Sequence, residues 1–136
     1  MGDACEMLVA AEMTLAGVPA MKMPDNWPGY DVIAQPKDGG VPQRISVKAR
    51  TFKRGPGTWV DYDARHPFDW LAVVILFADR DKRRIFIAPK IIADDRLKHP
   101  RAKSQDDKYW QLDKIPDVLR EFENNFCLSP AGRAST

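Results

Sequence analysis

The sequence has few of the side chains that bind metals through nitrogen or sulfur. Its 136 residues include two histidines and two cysteines. His66 and His99 stand alone, and Cys5 and Cys127 lie near opposite ends of the chain. These spacings do not match a zinc site. We therefore expect no zinc, and we predict free thiols in a reducing compartment rather than a terminal disulfide.

Long apolar runs and targeting signals are also missing. No segment reaches the roughly 18 apolar residues of a membrane span, and the first residues lack the basic stretch of a signal peptide. The sequence thus predicts a cytoplasmic protein with no membrane partner. Because it contains neither G-x-G-x-x-G nor a Walker lysine loop, it predicts no nucleotide cofactor. G-x-S-x-G is absent too, which argues against a serine hydrolase.

The composition is that of one soluble domain. Hydrophobic residues make up 44% of the chain and charged residues 29%, with a formal net charge of +2. This weak positive charge neither requires nor excludes a polyanionic partner. We assign residues 1–128 to a single domain and residues 129–136, rich in small side chains, to a disordered tail.

The periodicity predicts an α+β domain with a mixed sheet of four or five strands flanked by helices. We expect helices at 3–16, with Glu6 in a capping-box position, and at 116–126. The continuous apolar run at 71–77 predicts a central strand covered on both faces. Shorter elements are predicted as a strand at 19–23, a strand at 84–88 paired with the central strand, a helical turn at 89–95 and a last strand at 109–112.

The most informative stretch is PGYDVIAQPKDGGVPQRISVKAR, residues 28–50. It predicts two strands joined by a Gly/Pro turn, the second with strict alternation. Asp31 heads the first strand, and Lys48 lies near the end of the second. If the strands pair, a carboxylate and an ammonium group converge at one edge of the sheet.

Asp31 followed by Ser46-Val47-Lys48 resembles the PD-(D/E)XK nuclease superfamily. In that family a metal-binding Asp opens one strand, and an acidic residue or Gln, any residue and Lys follow on the next. The small-residue segment ending in Glu6, Gly17 and the apolar Phe-Asp-Trp strand at 68–70 are similar too. The sequence departs from the family at Ser46, since a hydroxyl is a weak metal ligand.

The resemblance implies a restriction-endonuclease-like core and a Mg²⁺ or Mn²⁺ site. It implies Asp31 as the central ligand, Glu6 as a second ligand and the Val47 carbonyl as another oxygen. Lys48 would stabilise charge on the phosphate or orient the attacking water. Ser46 stands at the second acidic position, where Gln43, Asp61, Asp63 or Asp69 could substitute.

Each of these residues has a structural alternative. Asp31 can serve a turn, Lys48 can be a solvated strand residue, and Glu6 can be a plain capping residue. The sequence leaves these alternatives open.

A basic and aromatic stretch follows the second strand. Residues 51–66 predict a long loop or loose hairpin, with Trp59 and Tyr62 exposed. Basic residues beside exposed aromatic rings suit phosphate contact and base stacking. The candidate nucleic-acid-binding residues are Arg50, Lys53, Arg54, Trp59 and Tyr62.

The sequence therefore favours a metal-dependent DNA phosphodiesterase of the endonuclease type with a degenerate site. The alternative is a catalytically inactive nuclease-fold domain that binds DNA or a protein partner. A homodimer would suit the two strands of a duplex, although no residue argues for one.

Overall fold

The computed structural model describes residues 2–52, 58–77 and 82–132. Its elements follow in the order α1 (Gly2–Leu15), β1 (Ala20–Lys22), β2 (Val32–Ala34), β3 (Gln43–Thr51), β4 (Trp59–Asp63), β5 (Trp70–Leu76), β6 (Arg83–Pro89), α2 (Lys90–Arg96), β7 (Asp107–Gln111) and α3 (Ile115–Val118). Short 3₁₀ turns follow β7 and α3. None of the helices in the described part is long and apolar enough to cross a membrane.

Five strands form a mixed sheet in the order β1-β2-β3-β5-β6. The β3–β5 pair is parallel, and the other neighbours are antiparallel. The predicted α+β class and mixed five-stranded sheet are confirmed. β2 and β3 form the predicted hairpin, with Val32 opposite Ile45.

Each face of the sheet has its own apolar cluster, because successive side chains of β3 and β5 point to opposite faces and paired residues share a face. Ile45 and Val47 point toward α1, together with Val9 and Met13 of that helix. The opposite face carries Leu71, Val73 and Ile75 of β5 under α2, α3 and β4. β5 is thus buried on both faces, as its continuous apolar run predicts.

The prediction of a loop or loose hairpin at 51–66 is wrong in part. β3 extends to Thr51, and β4 pairs antiparallel with β7 in a second, two-stranded sheet. Val60 and Tyr62 alternate with charged residues in β4, and both are buried. The pairing joins segments distant in sequence, so local turn signals did not indicate it.

The predicted C-terminal helix at 116–126 is also wrong in part, because only Ile115–Val118 is α-helical and a 3₁₀ turn follows at Arg120–Phe122. The helix ends at Val118, and Asn124 has a positive φ of 56°. The Asn125 amide donates hydrogen bonds to the carbonyls of Ile87 and Ser129 and thereby holds an irregular chain against β6. Of the predicted disordered tail at 129–136, residues 129–132 are described, and the Ser129 N–H donates to the Asn125 side chain at 3.1 Å. Residues 133–136 lie outside the described residues, and for them the tail stays a prediction. Cys5 is buried, Cys127 is exposed, and both are free.

Candidate active site

Asp31 is held at the point where β2 begins beside the middle of β3. Its backbone N–H donates to the Ile45 carbonyl at 2.9 Å, and its carboxylate accepts the Val47 N–H at 2.7 Å. Gly29, two residues earlier, has a φ of +92°, and a Cβ there would lie 2.6 Å from Pro67 Cδ. A glycine is therefore needed to bring the chain into β2 at this angle. Both features fix the Asp31 carboxylate against the Ser46–Val47–Lys48 triplet.

The triplet divides its side chains between the two faces of β3. Ser46 and Lys48 lie in register with Leu71 and Val73 of β5, on the face away from α1. Ser46 is only 6% exposed. Lys48 is half-buried, and its side chain makes no hydrogen bond or ion pair with the residues that the structure describes. Asp31 and Lys48 are therefore not joined as a salt bridge, and the Lys48 ammonium group is available to a ligand.

Glu6 reaches the same region from the first turns of α1. Its side chain is 19% exposed. Burial raises the pKa of Glu6, and the negative charge of Asp31 raises it further. The carboxylates of Glu6 and Asp31 therefore interact electrostatically, although the two residues are far apart in the sequence.

Lys22 of β1 is a charged residue at this site that sequence reasoning missed. Its ammonium group lies 3.8 Å from a carboxylate oxygen of Glu6 and 3.0 Å from one of Asp25. The positive charge of Lys22 lowers the pKa of Glu6 and so opposes the effect of Asp31. The sequence predicts the strand at 19–23 that contains Lys22, but it does not show the convergence of α1, β1 and the following loop.

The residues considered as substitutes for the missing acid are all engaged elsewhere. The carboxylates of Asp61, Asp63 and Asp69 each accept hydrogen bonds from an arginine, namely Arg50, Arg65 and Arg44. Gln43 accepts a hydrogen bond from the Trp70 indole. Within residues 2–52, 58–77 and 82–132, no group of three His, Cys, Asp or Glu side chains is arranged to hold a metal ion.

The oxygens that remain still fit a hard divalent cation. Mg²⁺ prefers oxygen ligands, and it keeps several waters, so one or two carboxylates can hold it. Asp31 and Glu6 provide two carboxylates whose mutual repulsion a cation would relieve. In an extended strand, the N–H and carbonyl of one residue point to the same edge, so the Val47 carbonyl lies on the edge of β3 where its N–H binds Asp31.

Of the predicted nucleic-acid contacts, the structure describes Arg50, Trp59 and Tyr62. Arg50 donates to the Trp59 carbonyl and to Asp61, which anchors β4 to β3. Trp59 is half-exposed and packs edge-on against Tyr109, with ring centroids 5.2 Å apart. Lys53 and Arg54 lie outside the described residues.

The prediction that Tyr62 is exposed is wrong. The side chain of Tyr62 is 5% exposed, and its hydroxyl donates to Asp94 at 2.6 Å. Burial, together with this hydrogen bond, raises the pKa of Tyr62. Since β4 turns Tyr62 inward onto Phe68, the ring cannot stack on a base.

Sequence comparison gives no close relative. No protein-family model matches the chain, and a comparison with curated proteins gives no match either.

The solved structures that are similar to this chain include two nucleases. A bacterial homing endonuclease, I-Ssp6803I, is similar over 82% of this chain and 74% of its own, with a TM-score of 0.54 and 14% identity. The Holliday junction resolvase Hjc of Archaeoglobus fulgidus is similar over 84% of this chain and 90% of its own, with a TM-score of 0.47 and 16% identity. The first of these similarities shows that the chain has a restriction-endonuclease-like fold, as the sequence resemblance predicts.

Proposed function

We propose that this chain is a metal-dependent DNA phosphodiesterase of the endonuclease type. The observation that carries the proposal is the hydrogen bond from the Val47 N–H to the Asp31 carboxylate, which fixes Asp31 against the Ser46–Lys48 triplet; Glu6 of α1 lies within electrostatic range of Asp31. A divalent cation bound there would polarise a phosphate and lower the pKa of a coordinated water. Mg²⁺ or Mn²⁺ would suit these oxygen ligands.

The protein's own groups have distinct roles in this proposal. Asp31 is a rigid ligand, because the Val47 N–H fixes one of its carboxylate oxygens. Lys48 lies on β3, next to Val47, and its ammonium group has no partner within the described residues. The positive charge of this group would stabilise the negative charge that develops on the phosphate. The Ser46 hydroxyl can donate to a water or a phosphate oxygen but adds no charge.

DNA would approach across the C-terminal half of β3. Arg50 and Trp59 lie there, and the basic residues Lys53 and Arg54 follow in the sequence. Arg50 shares its charge with Asp61, so its contribution to phosphate binding is partly offset. A homodimer and a cytoplasmic location remain proposals that accompany this function.

The second candidate is a catalytically inactive domain that binds DNA or a protein partner through the same fold. Two observations favour it: Ser46 is neutral and buried, and each nearby Asp that could replace its charge is paired with an arginine. A metal site with one carboxylate fewer binds its cation more weakly.

Cleavage of supercoiled, linear and branched DNA with Mg²⁺ or Mn²⁺ separates the two candidates. We expect wild type to cut and Asp31→Asn to lose about 10²-fold or more of the rate, the scale seen when a key electrostatic group is removed. Asp31→Asn retains an oxygen that can accept the Val47 N–H, so the hairpin should persist.

The matched control is Asp38→Asn, which removes an exposed carboxylate from the β2–β3 turn. It should cut like wild type. Equal cutting by all three proteins would indicate a contaminant, and no cutting by wild type would reject the enzyme. In the latter case, DNA binding that weakens steeply with salt would support the inactive binding domain.

A further inference from the structure

A polar cavity lies between the segment that follows α2 and strand β7. Its volume is about 310 Å³, and its lining includes Lys98, His99, Ser104, Asp107 and Lys108. None of these residues belongs to the cluster around Asp31, Glu6 and Lys22. The cavity therefore needs an explanation other than cation binding at that cluster.

Lys108 is the unusual residue of this cavity. It pairs with Tyr62 across β4 and β7 and is only 8% exposed. Lysines are almost never buried to this extent unless the ammonium group is paired. Nevertheless, the side chain of Lys108 makes no hydrogen bond or ion pair with any residue of the described part.

The side-chain nitrogen of Lys108 keeps some contact with solvent, and Lys108 is one of the residues that line the cavity. Across the described ranges, no fully buried side-chain nitrogen or oxygen lacks a hydrogen-bond partner. Because Lys108 has no partner, its nitrogen retains some access to water, and the cavity is an opening that the residue lines. A lysine can bury its aliphatic stem and keep its charge in contact with water, which is compatible with the 8% exposure of Lys108 and its place in the cavity lining.

The surrounding groups form an environment suited to an anion. Residues 98–108 contain four Lys or Arg and two Asp. Lys98 stands at the rim with its ammonium group 3.2 Å from Asp95, and both side chains are largely exposed. Ser104 adds a hydroxyl group, whereas the Asp107 carboxylate is the one lining group that opposes an anion. Positive charge exceeds negative charge along this segment.

Aromatic rings lie next to the cavity. The His99 ring stacks on Tyr109 with centroids 4.5 Å apart, and Trp59 contacts both rings edge-on. The Arg101 N–H donates to His99 Nδ1 at 3.1 Å and holds the ring in this orientation. A cationic cavity beside stacked rings is a combination that suits a phosphate joined to a base.

We propose that this cavity binds a phosphate group, with Lys108 as its main cation and Lys98 at its rim. The volume lies at the lower end of the range for ligand sites, which suits one phosphate and part of a nucleoside rather than a duplex. The phosphate can come from the end of a DNA strand or from a free phosphate or mononucleotide. The site goes beyond the proposed cleavage and does not require it.

The test measures binding of three probes: inorganic phosphate, a short 5′-phosphorylated single strand and the same strand with a 5′-hydroxyl. Lys108→Met keeps the length of the stem and removes the charge, so it should raise the Kd for phosphate about tenfold or more. Lys98→Met should raise it less, since Lys98 is exposed. Lys103→Met is the matched control, because it removes a charge from the same segment outside the cavity lining.

If the protein prefers the 5′-phosphorylated strand and Lys108→Met loses this preference, the natural ligand is the end of a DNA strand. If only inorganic phosphate binds and Lys108→Met weakens that binding, the natural ligand is a free phosphate. The proposal would be overturned if Lys108→Met bound all three probes with wild-type affinity. It would also be overturned if Lys103→Met weakened binding as much as Lys108→Met does. If Lys108→Met unfolds, Lys98→Met carries the test with the same direction of change. Asp31→Asn should bind phosphate like wild type, so the cavity and the cleavage site can fail separately.

Discussion

Lys48→Met should lower the rate of metal-dependent DNA cleavage by about 10²–10³-fold without weakening cation binding. The Lys48 ammonium group has no partner within the described residues, so its charge is free to act on the phosphate. Methionine keeps most of the aliphatic stem on β3, and the packing near Val73 should persist. The measurement is the single-turnover cleavage rate, with a cation titration of the same preparations.

The matched control for Lys48→Met is Lys114→Met, an exposed lysine outside the site. It should cut at the wild-type rate. A loss of cation affinity in Lys48→Met, or an equal loss of rate in Lys114→Met, would show that Lys48 does not act as a transition-state group.

Phe86→Ala should lower the free energy of unfolding by about 3–5 kcal/mol. Phe86 is fully buried in β6, pairs with Val73 and belongs to the cluster beneath α2 and α3. Truncation removes apolar contacts on the face of the sheet that also carries Lys48. Urea denaturation monitored by tryptophan fluorescence measures the change.

Met21→Ala provides the comparison for Phe86→Ala, because Met21 is 63% exposed on edge strand β1. Its effect should be within about 0.5 kcal/mol. A loss below about 1 kcal/mol for Phe86→Ala would mean that this cluster is not packed as described.

The sequence predicted the β2–β3 hairpin and β5 because their signals are local. Strict alternation sets the faces of β3, and an unbroken apolar run requires a strand covered on both sides. Asp31 could be chosen for the same reason, since it comes directly before the first strand of the hairpin.

The remaining features depend on contacts between distant segments. β4 alternates, but its partner β7 comes more than forty residues later, and a Gly/Pro-rich context obscured the pattern. The C-terminal chain leaves the helical path because Asn125 bonds to the Ile87 carbonyl of β6. Lys22 was missed because its ion pairs join β1 to α1 and to the loop after β1, and these segments come together only in the folded chain.

The central claim is that Glu6 and Asp31 form one site for a divalent cation. The most direct test is a Mn²⁺ titration of wild type, Glu6→Gln, Asp31→Asn and the double variant, with Glu12→Gln as the control on the same helix. Each single substitution should weaken binding about tenfold or more, and the double variant should lose much less than the sum of both effects, because paired ligands act as a unit.

The pH dependence of the same titration provides a second criterion. Protonation removes Glu6 as a ligand, so wild-type affinity should fall as pH drops through the raised pKa of Glu6, and this step should vanish in Glu6→Gln. Wild-type affinity in Asp31→Asn, or an unchanged pH profile in Glu6→Gln, would contradict the two-carboxylate site.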